Sequence, residues 1–184
     1  MTRAALLLTV LLAAVPLPAR AQQVFETLVV VSPLAEGDQW FLREDLVWLA
    51  KSGHRVCVPR NFVTDFASVP RMLWTLLPQW DGYGPAAVMH DYLYWAQIVP
   101  REKADEYMLE AMRDQDVGWF KRSVVYLGVK AGGWIAWSNN TRNKAAGERR
   151  VIPRAQTPTQ ATKTWEELKE EIRGTDAPET CARP

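Results

Sequence analysis

Histidine and cysteine are both scarce in this chain, two of each in 184 residues. Two histidines make a multi-histidine zinc site hard to assemble, and two cysteines allow at most one intramolecular bridge. Charge of either sign is not in excess either, with 22 Lys and Arg against 21 Asp and Glu. A near-neutral chain has no electrostatic case for nucleic acid. Apolar runs long enough to cross a bilayer are also missing. The N-terminal run, Ala4 to Val15, falls short of the ~20 residues a spanning helix needs, and the one after Gly118 is interrupted by Lys121, Arg122 and Lys130.

What the chain does have begins at its N-terminus. Arg3 precedes the apolar run, Pro16 and Pro18 end it, and Ala19-Arg20-Ala21 stands before Gln22. Charged region, apolar region and small-x-small site in that order read as a cleaved secretory signal over residues 1–21. The expectation is an exported protein, periplasmic or extracellular, with no stable membrane anchor. No cysteine follows the apolar run to carry a lipid. In such a compartment a disulfide persists, and a Cys57–Cys181 bridge would pin the C-terminal tail to the domain, although sequence alone leaves open whether the two meet.

With 48% hydrophobic residues and nine tryptophans, the remainder is suited to one folded domain. From Gln23 to about Phe66, β-rich runs (VFETLVVVS, QWFLREDLVWLA, HRVCVP) alternate with turn residues, which predicts a small antiparallel sheet with His54 starting its third strand. After Ser68-Val69-Pro70 the pattern becomes helical. A short helix is expected from Pro70 to Leu77, a second from Pro85 to about Val99, a third from Arg101 to Arg113 and a fourth from Gly118 to about Trp137. Phe120, Val124, Leu127, Ala131 and Ile135 mark the fourth helix's apolar stripe. The fold class is therefore α+β: a small N-terminal sheet packed on three to four helices, occupying residues 22–150. Residues 151–184 read as a linker-like tail, VIPRAQTPTQATKT, ending in a short helix capped by Thr164 with Glu167 three residues on.

Three segments hold side chains a plain structural domain has little need for: TDFASVPR (64–71), AAVMHDYLY (86–94), and Arg101 with Ala104-Asp105. In the second helix His90 shares a face with Ala86, Ala87, Leu93 and Tyr94, so its ring nitrogens need buried partners. Asp91 points about 100 degrees further round and can serve a different partner. In the third helix Asp105 aligns with Met108, Leu109 and Met112, an apolar stripe on which an unpaired carboxylate is costly. His90, Tyr94 or an arginine must answer it. One assignment makes His90 a general base oriented by Asp105, with Tyr94 beside them, and gives Asp91 and Asp65 to a hard cation, calcium before zinc. Ser68, Arg71 and Arg101 complete the pocket, and Trp74, Trp80 and Trp95 rim it. The plainer assignment has Asp65 and Ser68 capping a helix, the arginines neutralising carboxylates, and His90 as a hydrogen-bonded core residue.

FVTDFASVPR, AAVMHDYLY and the following R-x-x-AD together resemble a phage and bacterial family known as domain of unknown function 1353, over about Phe41 to Trp137. That resemblance brings no activity. The pattern of His90-Asp91, Tyr94 and Ala104-Asp105 also resembles the His-Asp core of secreted phospholipase A2. That resemblance implies a base at His90, a calcium ligand at Asp91 and an orienter at Asp105. It departs from that family in lacking a clear glycine-rich calcium loop, the cysteines that flank the helices and the longer helix-to-helix spacing. The short spacing leaves two arrangements, one with the helices offset and one in which Asp105 bonds Tyr94 in place of His90. The expected function is metal-assisted hydrolysis of an envelope substrate, a phospholipid ester ahead of peptidoglycan, with a non-catalytic interaction or assembly module as the rival.

Overall fold

The computed structural model describes residues 25–66, 82–175 and 180–181. The predicted signal, the helix expected from Pro70 to Leu77, and Ser68, Arg71, Trp74 and Trp80 lie outside the described residues.

The N-terminal half is antiparallel β structure, as its alternating β-branched and aromatic residues predict, but it forms two small sheets and not one. Strands β1 (Val31–Pro33), β2 (Trp40–Leu42) and β5 (Val63–Thr64) make the first, in the order β1-β2-β5, while β3 (Leu46–Leu49) and β4 (Arg55–Val58) pair with each other. The run QWFLREDLVWLA is divided because Arg43 and Glu44 are exposed in its middle. Asp45 fixes that bend, its side chain accepting from the Arg60 amide at 2.7 Å and its carbonyl from the Thr27 hydroxyl at 2.8 Å. His54 lies just before β4, exposed, with its ring 5.1 Å from that of Tyr107.

The helical half is built round α1 (Gly84–Ala96), of whose 13 residues 10 are buried. A helix apolar on nearly every side belongs inside, between layers, and α1 packs against both α2 and α3 and against β3, β4 and β5. Pro85 sits in its first turn, where a missing amide hydrogen costs nothing, and Gln97 ends it in the left-handed conformation at φ 55°. Pro100 then starts α2 (Arg101–Asp114). The turn between them is short, so the two helices are sequence neighbours that pack side by side.

Helix α3 (Trp119–Ala145) departs from expectation twice. It runs well past Trp137, because the polar stretch that seemed to end it finds acceptors at the end of α1. Asn140 donates to the Tyr94 carbonyl at 3.1 Å and Lys144 to the Ala96 carbonyl at 3.1 Å, satisfying groups a helix terminus leaves open. Its buried side is also not the expected stripe: Val125 and Gly133 are buried, whereas Phe120, Leu127 and Ile135 are exposed. Gly133 allows a close approach to Tyr94 on the inner side, where Val124, Val129 and Trp137 also pack. No helix among the described residues is long and apolar enough to cross a membrane.

Residues that read as a linker are fastened to the first sheet. Val151 bridges Phe62, Ile152 is buried, and the Asn61 side chain donates to the Ile152 carbonyl at 3.0 Å and to the Thr157 hydroxyl at 2.7 Å. Composition had hidden two apolar anchors, Val151 and Ile152, inside a polar run. Helix α4 (Trp165–Ile172) begins with the predicted capping box between Thr164 and Glu167. Glu36 accepts from the Trp165 amide at 2.9 Å, placing negative charge where the helix dipole favours it. Trp165, Leu168 and Ile172 then close a second, smaller core with Leu34, Phe41, Val63 and Ile152.

Cys57 of β4 and Cys181 are joined, with Cα atoms 6.2 Å apart and a sequence separation of 124. A crosslink over so long a loop removes much of the unfolded chain's freedom. Reduction, or Cys57→Ser with Cys181→Ser, should lower stability by about 2–4 kcal/mol in denaturant titration. Peptide mapping without reductant should find the two residues in one linked pair.

Candidate functional site

Strand β5 of the three-stranded sheet delivers a loop to the side of α1. Thr64, the last residue of β5, is fully buried and makes two bonds: its hydroxyl accepts from the Phe66 amide at 3.0 Å and donates to Asp91 Oδ2 at 2.5 Å. Phe66 adopts φ 61°, an unusual conformation for an aromatic residue. The Thr64 hydroxyl bond and burial of the Phe66 ring hold it there. Asp91 is thus oriented by the loop, and Asp65 sits beside Thr64, half-buried like Asp91.

One helical face away, three donors converge on Asp105. His90 Nε2 lies 3.0 Å from Oδ1, the Tyr94 hydroxyl donates to the same oxygen at 2.6 Å, and Arg101 donates to Oδ2 at 3.2 Å. The alternatives left open by spacing are therefore not exclusive, since Asp105 bonds His90, Tyr94 and an arginine at once. Residues 90 and 94 are one turn apart on α1, and 101 and 105 one turn apart on α2. The carboxylate sits level with the gap between the two α1 side chains and reaches both.

Burial sets the protonation states. His90 is 3% exposed and Asp105 1%. Burial lowers the His90 pKa below its ordinary value, outweighing the raising effect of Asp105. For Asp105 burial acts upward, but the hydrogen bonds from His90 and Tyr94 and the charge of Arg101 prevail and hold the carboxyl below the ordinary value. Burial, then the bond to Asp105, pushes the Tyr94 phenol up, so it stays protonated. The pair is thus a neutral imidazole donating to a carboxylate. With the proton on Nε2, the lone pair available to accept another is on Nδ1.

Sequence reasoning missed two supports. Thr64 lay within a quoted motif without a role, and Gly133 of α3 went unremarked. A Cβ on Gly133 would collide with the Tyr94 hydroxyl, whereas one on Gly132 would meet nothing within 4 Å. The Gly-Gly pair inside a long helix was the available signal, since glycine there is costly without a packing reason. Trp137 completes this side, its ring edge-on to Tyr94 at 5.3 Å. Of the tryptophans expected to rim a pocket, Trp95 is fully buried in the core.

The expected cation site is less complete. Asp91 and Asp65 supply hard oxygen donors of the kind calcium takes. The single group of three His, Cys, Asp or Glu ligands that gathers among the described residues is Asp45, Cys57 and Cys181, whose sulfurs are bonded to each other. A cavity of about 620 Å³ adjoins it, lined by Asp45, Arg60, Asn61 and Ile152 among others, away from His90 and Asp105.

Residues 40–129 match the family described as "Protein of unknown function (DUF1353)", so the chain carries a domain of that family. The matched span begins at β2 and contains every residue of the Asp105 and Thr64 networks. No curated protein and no solved structure matches the chain.

Asp105→Ala leaves the buried His90, Tyr94 and Arg101 donors without their acceptor and should cost about 1–3 kcal/mol, read by denaturant unfolding. The wild-type protein should also be pH-sensitive. His90 is held below its ordinary 6.5, so the unfolded chain binds the proton first as pH falls; stability present above that value declines below it. Asp105, held below its ordinary 3.8, adds a further loss as pH drops through that value. An unfolding free energy that is flat from neutral pH down through both values would contradict these assignments.

Proposed function

We propose that this chain is an exported hydrolase that cleaves an ester in an envelope phospholipid. Its site would use His90 as general base, Asp105 as its orienter, and Asp91 with Asp65 as ligands for calcium. The observation that carries the reading is the His90–Asp105 bond at 3.0 Å through Nε2, reinforced by Tyr94. It leaves Nδ1 as a base beside an acidic residue that the loop orients separately. Export is supported by the N-terminal signal pattern and by a disulfide, which persists in oxidising compartments.

In this mechanism Nδ1 takes a proton from water while the water oxygen bonds to the ester carbonyl carbon. The tetrahedral adduct then expels the alkoxide, which recovers the proton from the imidazolium, leaving a carboxylic acid and an alcohol. Asp105 stays ionised throughout, fixing the tautomer and stabilising the transient positive ring, and Tyr94 and Arg101 hold Asp105 in place. Calcium, when bound, would supply positive charge near the developing oxyanion.

The near-complete burial of His90 and Asp105 favours a second reading, in which the network only fixes the helices of an interaction or assembly module. Single substitutions separate the two. In the hydrolase, His90→Asn abolishes turnover of mixed phospholipid vesicles while metal binding remains, and Asp91→Asn weakens calcium binding and activity together. The assay compares calcium, zinc and chelator, with peptidoglycan as the competing substrate. Absence of metal-dependent product from either substrate, with no ion binding by calorimetry, would select the module.

A further inference from the structure

The cavity of about 620 Å³ lies between the turn that joins β4 to β5, the segment that follows α3, and Cys181. Its walls are pinned to one another. The Asn61 carbonyl accepts from the Ile152 amide and the Asn61 side chain donates to the Ile152 carbonyl, each at 3.0 Å, while the Cys57–Cys181 disulfide ties the tail to β4. Small-molecule pockets are about 300–1,000 Å³ and mostly apolar, with a few polar groups that fix the ligand. Here Pro59, Val151 and Ile152 are buried and give the cavity apolar walls, whereas Arg60 and Arg154 are exposed and stand at its edge.

Charge narrows the ligand class. Among the described residues neither the Arg60 nor the Arg154 guanidinium has an ion-pair partner. The one acid in the lining, Asp45, accepts from the Arg60 backbone amide at 2.7 Å. Two guanidiniums against one carboxylate leave a single positive charge. A monoanion neutralises it, a phosphate dianion exceeds it, and a metal cation is repelled by it. The sulfurs beside Asp45 are bonded to each other and offer a cation nothing further. A guanidinium matches a carboxylate through two parallel N–H donors, and the apolar walls favour a hydrocarbon body attached to it.

We propose that this cavity is a ligand site for an amphiphilic monocarboxylate. The hydrocarbon lies against Pro59, Val151 and Ile152, and the carboxylate is held by Arg60 and Arg154. The site stands apart from the hydrolytic reading, because it uses no residue of the His90 or Asp91 networks.

The test titrates the full chain with sodium octanoate, following backbone amides by proton–nitrogen NMR and stoichiometry by calorimetry. Octanoate should saturate one site, with shifts centred on Asn61, Ile152 and Ala155. Octanamide keeps the tail without the charge and acetate keeps the charge without the tail, so each should bind at least roughly tenfold more weakly. Arg60→Ala with Arg154→Ala, both at exposed positions, should weaken octanoate by a similar factor. Ala155→Glu, which adds a carboxylate to the lining, should do the same, and inorganic phosphate should not compete. Octanoate that fails to saturate overturns the proposal, as does octanoate that binds no better than octanamide or survives the arginine substitutions. Shifts centred on the exposed face of α3, around Leu127 and Trp134, would overturn it by moving the site. Phosphate that displaces octanoate would also overturn it, assigning the arginines to a phosphate group.

Discussion

A carboxylate buried among apolar side chains cannot stand alone, and Asp105 is the point at which three elements of this protein are obliged to agree. Its 1% exposure would be untenable without partners. His90 and Tyr94 reach it from α1 and Arg101 from its own helix. That requirement sets the register of α1 against α2. It then propagates outward: the Tyr94 hydroxyl, once held, admits only a glycine from α3 at position 133, which brings α3 close enough for Asn140 and Lys144 to close the end of α1.

The β half meets this helical unit through a different bond, and the separation matters chemically. Thr64 couples the loop after β5 to Asp91, while His90, the preceding residue on α1, turns to Asp105. Adjacent residues of one helix therefore serve independent networks, one tied to the sheet and one internal to the helices.

Much of this was legible because it follows from helical spacing. Residues 90 and 94 had to share a face, Asp105 had to lie on an apolar stripe, and Thr164 with Glu167 had to begin a helix; all three appear in the structure. What periodicity could not decide was which side of α3 faces inward. The stripe through Phe120 and Leu127 has the right period, yet the inner side is the one that carries Val125, Val129 and Trp137, with Gly133 against the Tyr94 hydroxyl. Nor could composition distinguish a loose tail from one fastened by Val151, Ile152 and the Asn61 amide. The roles of Thr64 and Gly133 are long-range by nature, since each is defined by a partner distant in sequence.

The central claim is that burial keeps His90 neutral beside an ionised Asp105, with its proton on Nε2 and its lone pair on Nδ1. Long-range proton–nitrogen NMR of the imidazole rings reads this directly, because the chain has two histidines and His90→Asn identifies the signals that belong to the site. The account predicts a His90 ring with a protonated Nε2 and an unprotonated Nδ1 at neutral pH, remaining neutral as pH is taken below 6.5 while the fold persists. An imidazolium above that pH, or a neutral ring with its proton on Nδ1, would contradict it.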